Sequence, residues 1–343
     1  MTRAISPRHA NAIASVLPAQ ALRQHARRPA GGKADETGVR RLVYVLAASH
    51  SGSTLLTMLL GAHPDLCTVG ELKATIPGDV AEYPCSCGER INLCPFWARV
   101  RAGMARRGLD FDFAQPYVDL QSIDSAYVRQ VLRPLHRGWL LEHVRDAALW
   151  LSPTARAQYA LIRHRTAALV DTVCEISGQN IIVDSSKYGL RLKYLLRNPA
   201  LDVQIVRVIR YGRAVAATYY IDERRLPMAQ AALEWRRSNE EAEQLLTSVD
   251  PARSIEVRYE QLCHDPAGGL ARLFEFIRVD PARGTLDYRA REHHVIGNWM
   301  RTQKTSAIVL DERWRQQLTA VDLGEFERVA GRMNRRYGYE QKP

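Results

Sequence analysis

The sequence predicts an α/β protein in which a mainly parallel sheet is flanked by helices. Short apolar, β-prone runs alternate with segments whose apolar residues recur at helical spacing. Small, glycine-containing turns follow two of these runs, as expected where a strand passes directly into a helix. Alternating strands and helices pair in parallel and cover both faces of the sheet. The strands are expected at residues 41–48, 66–69, 180–184, 203–209 and 254–259.

The helices take their expected bounds from apolar periodicity and from helix-stopping residues. The first helix, residues 53–61, ends where Gly61 and Pro64 interrupt the pattern. After the third strand, residues 185–187 are expected to form a turn that leads into the next helix. The remaining helices are expected at residues 188–197, 214–220, 228–248, 266–277, 312–319 and 323–336.

The chain divides at residue 40. Residues 1–39 are rich in Ala, Arg and Pro, and we expect a mobile basic tail with one short helix around residues 11–25. Residues 40–343 are predicted to form one domain. Within it, residues 75–98 are expected to form a cysteine-containing loop, and residues 98–178 a mostly helical insertion that caps the sheet. Residues 75–178 therefore comprise the cysteine loop and the helical insertion.

Composition and charge argue against several classes of protein. The chain is 46% hydrophobic and 25% charged, which is an ordinary globular balance. A net charge of +11 suits an anionic ligand, but no basic cluster is interleaved with aromatic residues, so we expect no nucleic-acid partner. No apolar run approaches the roughly 18–20 residues of a membrane span. No signal-peptide core is present near the N-terminus, so a cytoplasmic protein is the default expectation.

The turn after the first strand has the layout of an anion cradle. Ser51, Gly52, Ser53 and Thr54 stand where a strand passes into a helix, and backbone N–H groups and the helix dipole favour an anion there. Gly52 allows a ligand to approach the backbone closely. An ordinary capped turn uses the same residue types, so the pattern alone leaves both interpretations open. No Walker lysine follows Gly52, which argues against an ordinary ATPase or kinase.

Two further strand-end turns are expected beside this cradle. One contains Lys187, and the other contains Arg210 and Arg213. In a parallel sheet these turns share an edge, where open α/β sheets bind ligands. The hydroxyls, the lysine and the arginines predict a site for a ligand with more than one anionic group. Surface ion pairing is the alternative role for the arginines.

Several segments resemble the sulfotransferase family. Residues 49–56 look like its 5′-phosphosulfate-binding loop, and residues 208–218 look like its 3′-phosphate-binding element. In that element an arginine at a strand end is followed eight positions later by Ser or Thr, a spacing that Arg210 and Thr218 keep. The resemblance spans residues 41–338 and is strongest to the bacterial, carbohydrate and tyrosylprotein branch. Further matching segments are residues 63–71, 257–262 and 296–301.

The resemblance implies a P-loop-like fold and 3′-phosphoadenosine-5′-phosphosulfate (PAPS) as donor, with an acceptor hydroxyl and no required metal. Residues 51–54 would hold the 5′ end of the donor, and Arg210 and Thr218 its 3′-phosphate. Gly297 and Arg301 resemble the segment that closes over the nucleotide, with Arg301 a second phosphate contact. The acceptor can be a glycan, a lipid, a peptide or a small molecule, because residues 75–178 carry no readable signature.

Three residues are candidates for the chemistry. Glu71 matches the catalytic glutamate of the tyrosylprotein relatives and is predicted to take the acceptor proton, with ion pairing as the alternative. His50 stands where relatives usually have Lys or Arg, and the charge of histidine depends on pH. Either His50 or Lys187 is therefore expected to supply the charge at the leaving oxygen. The rival functions are a phosphotransferase with a degenerate P-loop and a non-enzymatic anion-binding module.

Three of the six cysteines lie close together in the sequence. Cys85, Cys87 and Cys94 can bind zinc if a fourth ligand, such as a distant histidine, completes the set. They can instead form one disulfide with a spare thiol, or stay reduced. The C-x-C spacing is not the usual C-x2-C, so we predict no metal ligands here and favour a reduced or disulfide-linked loop. The pair His293 and His294 fits either loop packing or metal binding.

Overall fold

In the computed structural model, five strands form one parallel sheet. The structure describes residues 39–339, apart from residues 74, 75, 77, 78, 134–137, 224, 225, 292 and 304. The sheet order is β2-β3-β1-β4-β5, and every neighbouring pair is parallel, which confirms the predicted α/β class. Residues 1–38 of the predicted basic tail, with its helix at residues 11–25, lie outside the described residues. The strands are β1 (Arg40–Ala47), β2 (Leu66–Thr68), β3 (Ile181–Lys187), β4 (Leu201–Ile209) and β5 (Ser254–Arg258).

Helices connect the strands and cover the sheet. None of those that the structure describes is long and apolar enough to cross a membrane. A π-helical segment, Thr218–Glu223, continues directly from α7. The helices are α1 (Ser53–Gly61), α2 (Pro95–Ala105), α3 (Ala126–Val131), α4 (Trp139–Leu151), α5 (Pro153–Ser177), α6 (Gly189–Leu195), α7 (Gly212–Ala217), α8 (Met228–Leu246), α9 (Tyr259–His264), α10 (Pro266–Ile277), α11 (Trp314–Gln317) and α12 (Ala320–Arg336).

The central strand β1 is buried on both faces, which explains its nearly continuous apolar sequence. Leu42, Tyr44 and Leu46 belong to a core shared with α2 and α5 of the insertion. Val43 and Val45 point to the opposite face and share a core with α1 and α10. Successive side chains of a strand alternate between the faces, so β1 anchors both layers of helices.

The insertion is mainly helical, as predicted, but its boundary with the cysteine loop is earlier than expected. Phe96 and Trp97, which were assigned to the loop, lie in α2, because Pro95 occupies the first helical position after Cys94. Trp97 is fully buried. The cysteine loop is thus fastened at its end by a helix that packs against α5.

The predicted turn at residues 185–187 is wrong, because these residues belong to β3. Asp184 pairs with Tyr44 and Lys187 with Leu46, so β3 carries one more residue than β1 over this interval. The Asp184 carboxylate accepts hydrogen bonds from the Ser186 backbone N–H at 2.9 Å and from its hydroxyl at 2.5 Å. This β-bulge keeps the strand paired through Lys187, where residue types alone favoured a turn.

The helix expected at residues 214–220 begins at Gly212 and changes character at Thr218. From Thr218 to Glu223 the backbone is π-helical. This form is rare in proteins, and where it occurs it often lies at a functional site. The final helix begins at Ala320, three residues earlier than expected, because Thr319 and Asp322 form a capping box. Of the helix expected at residues 312–319, only Trp314–Gln317 (α11) is helical.

The carboxyl ends of all five strands meet at one edge of the sheet. After β3 the chain crosses β1 to form β4, so the loop after β1 lies where the strand order reverses, the usual ligand crevice of open α/β sheets. A late segment joins this edge, because Gly70 and Ile296 form a parallel bridge just beyond β2. The fold therefore gathers segments from both ends of the domain around the loop after β1.

Candidate functional site

The loop between β1 and α1 has the properties of an anion cradle. His50 and Gly52 adopt positive φ angles of 63° and 85°, and Gly52 is the N-cap of α1. The first turn of α1 carries no acidic residue. The Ser51 hydroxyl is buried without a hydrogen-bond partner among the described residues. A buried hydroxyl beside free helix N–H groups fits an anionic ligand, since such groups otherwise lack a partner.

Gly52 is required at its position by conformation and by space. A Cβ added there would lie 2.2 Å from Cδ2 of Tyr259, and the φ angle of 85° disfavours any side chain. We expect Gly52→Ala to lower the free energy of unfolding by roughly 2–4 kcal/mol, of which the backbone conformation accounts for about 1 kcal/mol. Urea unfolding measures the change.

The matched control is Gly108→Ala, because Gly108 has a similar φ of 70° but no atom within 4 Å of an added Cβ. This variant is expected to lose only the conformational part, about 1 kcal/mol. Equal losses in the two variants would contradict close packing of the loop against Tyr259.

Glu71 lies at the centre of a buried ion-pair cluster just after β2. Lys187 Nζ is 2.5 Å from its Oε1, and Lys73 Nζ is 3.1 Å from its Oε2. Each of the three side chains is only 12–13% exposed. Burial opposes ionisation of Glu71, but the two lysines outweigh it and lower the pKa of this carboxyl below its usual range. The same attraction to Glu71 outweighs burial at Lys73 and raises the pKa of its ammonium.

The structure separates the two candidates for leaving-group assistance. Lys187 ends β3 with a φ of 74° and holds Glu71. The imidazole of His50 instead meets the ring of Tyr219 edge to face, with centroids 4.6 Å apart. Both His50 and Lys187 have backbone conformations that are rare for residues other than glycine, and such conformations are enriched at functional sites.

Gly297 connects the cradle to the Glu71 cluster. A Cβ added to Gly297 would lie 3.7 Å from Glu71 Oε1 and 3.9 Å from Thr54 Oγ1, so these two side chains flank the same glycine. The Gly297 carbonyl accepts hydrogen bonds from the Tyr83 hydroxyl at 3.0 Å and from Arg301 Nη1 at 2.6 Å. Arg301 is buried against the Tyr83 ring and uses its guanidinium on backbone carbonyls here. Its predicted contact with a phosphate stays a prediction.

Arg210 lies against the cradle at the end of β4. Its Nη1 donates to the His50 carbonyl at 2.9 Å, and its guanidinium stacks on the Tyr259 ring at 4.6 Å. Its Nη2 is 3.3 Å from a carboxylate oxygen of Asp311. Thr218 donates to the Ala214 carbonyl at 3.2 Å, within its own helical segment. The structure thus brings Arg210, rather than the Thr218 hydroxyl, into direct contact with the cradle.

Asp311 would compete with an anionic ligand for the guanidinium of Arg210. Hydrogen bonds from Arg313, and then the charge of Arg210, outweigh its partial burial and lower the pKa of Asp311 to about 2. The carboxylate is therefore fully ionised at neutral pH. A phosphate that binds Arg210 has to compete with it or share the guanidinium, which offers several donors.

Three residues at the candidate site were not predicted from the sequence: Lys73, Tyr259 and Asp311. Lys73 follows Glu71 by two positions and is one of only six lysines, which was an available signal. Tyr259 lies in a segment that was singled out without a role, and only packing shows that it supports both Gly52 and Arg210. Asp311 lies just before the helix expected at residues 312–319, and no sequence pattern indicated a role for it.

Comparisons with known proteins bear on the family. Residues 190–282 match the model of the sulfotransferase family, whereas a search of curated protein sequences finds no match. Among solved structures, the chain is similar to the sulfotransferase domain from the curacin biosynthetic pathway, with 17% identity, a TM-score of 0.47 and coverage of 89% of this chain and 99% of that one. A sulfotransferase from Mycobacterium avium has 14% identity and a TM-score of 0.46, with coverage of 88% of this chain and 78% of that one. A mouse sulfotransferase complexed with PAP has 11% identity and a TM-score of 0.40, with coverage of 88% of this chain and 89% of that one.

Proposed function

Because residues 190–282 match the sulfotransferase family model, we propose that this chain is a sulfotransferase that transfers a sulfuryl group from PAPS to an acceptor hydroxyl. The observation that carries the proposal is the meeting of three features at one sheet edge. These are the cradle at the start of α1, the buried carboxylate of Glu71 and the guanidinium of Arg210. The donor ends in a 5′-phosphosulfate and carries a 3′-phosphate, so it needs two separate anion sites.

The residues present fit such a donor. The Ser51 hydroxyl, which is buried and has no hydrogen-bond partner among the described residues, would hold the 5′ end together with the N-terminus of α1. Arg210 would hold the 3′-phosphate, with Thr218 as a further donor from the π-helical segment. Gly297 and Arg301 would border the nucleotide from the late segment. The donor supplies an activated sulfuryl group, whose sulfur–oxygen bond to the phosphate breaks as the acceptor oxygen bonds to sulfur.

The chain contributes position and charge. Glu71 would accept the proton of the acceptor hydroxyl through its carboxylate. Lys187 pairs with that carboxylate, and its positive charge would offset the negative charge that collects on the departing phosphate. His50 lies in the same loop and would add a positive charge when it is protonated.

Clamping by two lysines makes Glu71 a weaker base in the free protein, because its pKa is lowered. Efficient proton transfer favours a base whose pKa lies nearer the working pH. A bound dianion would attract Lys187 and weaken its hold on Glu71, which raises the carboxyl pKa in the complex. Basicity at Glu71 would therefore develop when the donor site is filled.

The experiment that tests the proposal is calorimetry with 3′,5′-bisphosphoadenosine and ADP. We expect the bisphosphate to bind at least about tenfold more tightly, because a charge-assisted contact to the 3′-phosphate contributes roughly 1.5–3 kcal/mol. Equal affinity would contradict the donor assignment. A magnesium-dependent preference for ATP would favour a phosphotransferase, and competition by generic DNA would favour a simple anion-binding module.

A further inference from the structure

The cysteine loop and the late histidine pair form a four-ligand cluster. Cys85, Cys87, Cys94 and His294 place one ligand atom each within 4.8 Å of the others. Cys94 Sγ is 3.3 Å from His294 Nδ1, and Cys85 Sγ is 3.7 Å from the same nitrogen. Cys87 Sγ is 3.7 Å from Cys94 Sγ. The two sides of the cluster are about 200 residues apart in the chain, so only the fold brings them together.

We infer that this cluster is a structural zinc site. A tetrahedral zinc ion has Zn–S bonds of about 2.3 Å and Zn–N bonds of about 2.0–2.1 Å, which separate its sulfurs by about 3.8 Å and sulfur from nitrogen by about 3.5 Å. The observed separations of 3.3–3.7 Å match this geometry. They exceed the bond length of a disulfide, about 2.0 Å. The structure describes all six cysteines of the chain, and all six are free.

The surroundings of the cluster are those of a metal site rather than of packed thiols. Cys94 is the N-cap residue of α2, so its sulfur lies at a helix N-terminus, where the helix dipole favours a thiolate ligand. The His294 ring stacks on Phe96, with centroids 4.4 Å apart and planes 6° apart. This stacking fixes the direction of the imidazole, a role that outer contacts play at metal sites.

The chemistry of the ligands points to zinc and to a structural role. Three thiolates and one imidazole form a soft, compact set that suits Zn²⁺ and excludes hard cations such as Mg²⁺. All four positions are filled by protein, which is typical of structural sites, whereas catalytic zinc keeps one position open. Of the histidine pair, His294 belongs to the cluster and His293 has a packing role. His293 is buried, and its Nε2 contacts the Tyr288 carbonyl at 2.6 Å.

Zinc would join the cysteine loop to the segment that borders Glu71. Ser86 contacts the His293 carbonyl and accepts from the Val295 N–H at 2.8 Å. At the residue after Val295, the Ile296 carbonyl accepts a hydrogen bond from the Glu71 N–H at 3.0 Å. A metal at His294 therefore holds the residues around Gly297 against β2, and its loss would loosen them. The ligand geometry stands whatever reaction the protein performs.

The test is the metal content of the full chain, purified under reducing conditions without a polyhistidine tag. Elemental mass spectrometry is expected to find about one zinc per chain. Cys87→Ser and His294→Asn are expected to lower the content to well under half. Cys263→Ser and His164→Asn are the matched controls, since these residues lie outside the cluster, and both variants are expected to keep the metal.

A second measurement keeps the inference testable if the ligand variants fail to fold. The wild-type chain, stripped of metal and reloaded with Co²⁺, is expected to bind one equivalent and to show thiolate-to-cobalt charge-transfer absorption of a tetrahedral site. The inference would be overturned if the reduced wild-type chain bound neither zinc nor a stoichiometric amount of cobalt. A native disulfide among Cys85, Cys87 and Cys94, or equal metal loss in the control variants, would also overturn it. None of these outcomes bears on the preference for 3′,5′-bisphosphoadenosine, which tests the donor separately.

Discussion

Glu71→Gln is expected to lower turnover by roughly 100-fold or more while the affinity for 3′,5′-bisphosphoadenosine stays within a few-fold of wild type. The amide keeps the size of the side chain but cannot take the acceptor proton, and loss of a positioned base typically costs 10²–10⁴-fold. Steady-state kinetics with labelled donor measure turnover, and calorimetry measures binding. Unchanged turnover would remove Glu71 from the role of base.

The control for Glu71 has to separate lost chemistry from lost stability, because the variant leaves two buried lysines without their carboxylate. Glu241→Gln serves this purpose, since Glu241 is also buried and accepts a hydrogen bond from the Leu190 N–H at 2.7 Å. It is expected to retain turnover within a few-fold. Lys73→Met, which removes one half of the clamp, is expected to reduce turnover less than Lys187→Met if Lys187 also assists the leaving group.

Because the pKa of Glu71 is lowered, the stability that its ion pairs contribute depends on pH. A carboxyl whose pKa is depressed in the folded state contributes stability above its unfolded pKa, about 4.5, and this contribution is lost as pH falls through the folded-state value. The difference in thermal stability between wild type and Glu71→Gln is therefore expected to be constant near neutral pH and to shrink below about pH 4.5. A difference that grows on acidification would contradict the clamped, ionised carboxylate.

Arg210→Ala is expected to abolish most of the preference for 3′,5′-bisphosphoadenosine over ADP, a loss of roughly 10- to 100-fold in the affinity ratio. A charge-assisted contact contributes roughly 1.5–3 kcal/mol, which corresponds to a factor of about 10 to 100 in affinity, and here the loss should fall on the nucleotide that carries the 3′-phosphate. Calorimetry with both nucleotides measures the ratio. Equal weakening of the two would place Arg210 elsewhere on the ligand.

Two further variants sharpen the interpretation of Arg210. Arg207→Ala removes a second buried arginine, which lies within β4 and contacts Tyr337 and Glu243. This variant is expected to leave the affinity ratio unchanged. Asp311→Asn removes the carboxylate that pairs with Arg210 and is expected to strengthen bisphosphate binding a few-fold. Weaker binding by Asp311→Asn would show that Asp311 positions Arg210 rather than competes for it.

Most of the fold was predictable because its signals are local. The apolar run of β1, the first helix and the helix at residues 266–277 were predicted to within a residue at each end. The misassigned residues are those where pairing overrides residue type. Ser185 to Lys187 favour a turn by themselves, but the bulged ladder to β1 holds them in a strand. The capping box likewise starts α12 earlier than its apolar periodicity indicates.

By itself, the sequence determined the parallel α/β class, the order of the five strands along the chain and, except for β3, their carboxyl ends to within one residue. Periodicity and turn chemistry are properties of neighbouring residues, so one chain is enough to reveal them. Only the tertiary structure decided that Lys73 joins Lys187 on Glu71, that Tyr259 supports Gly52 and Arg210, and that His294 completes the cysteine cluster. Most of these contacts join residues that are far apart in the chain. Lys73 and Glu71 are close in the chain, but the sequence does not show which way their side chains point. Their partners are selected by packing and charge within the folded domain, which no local pattern encodes.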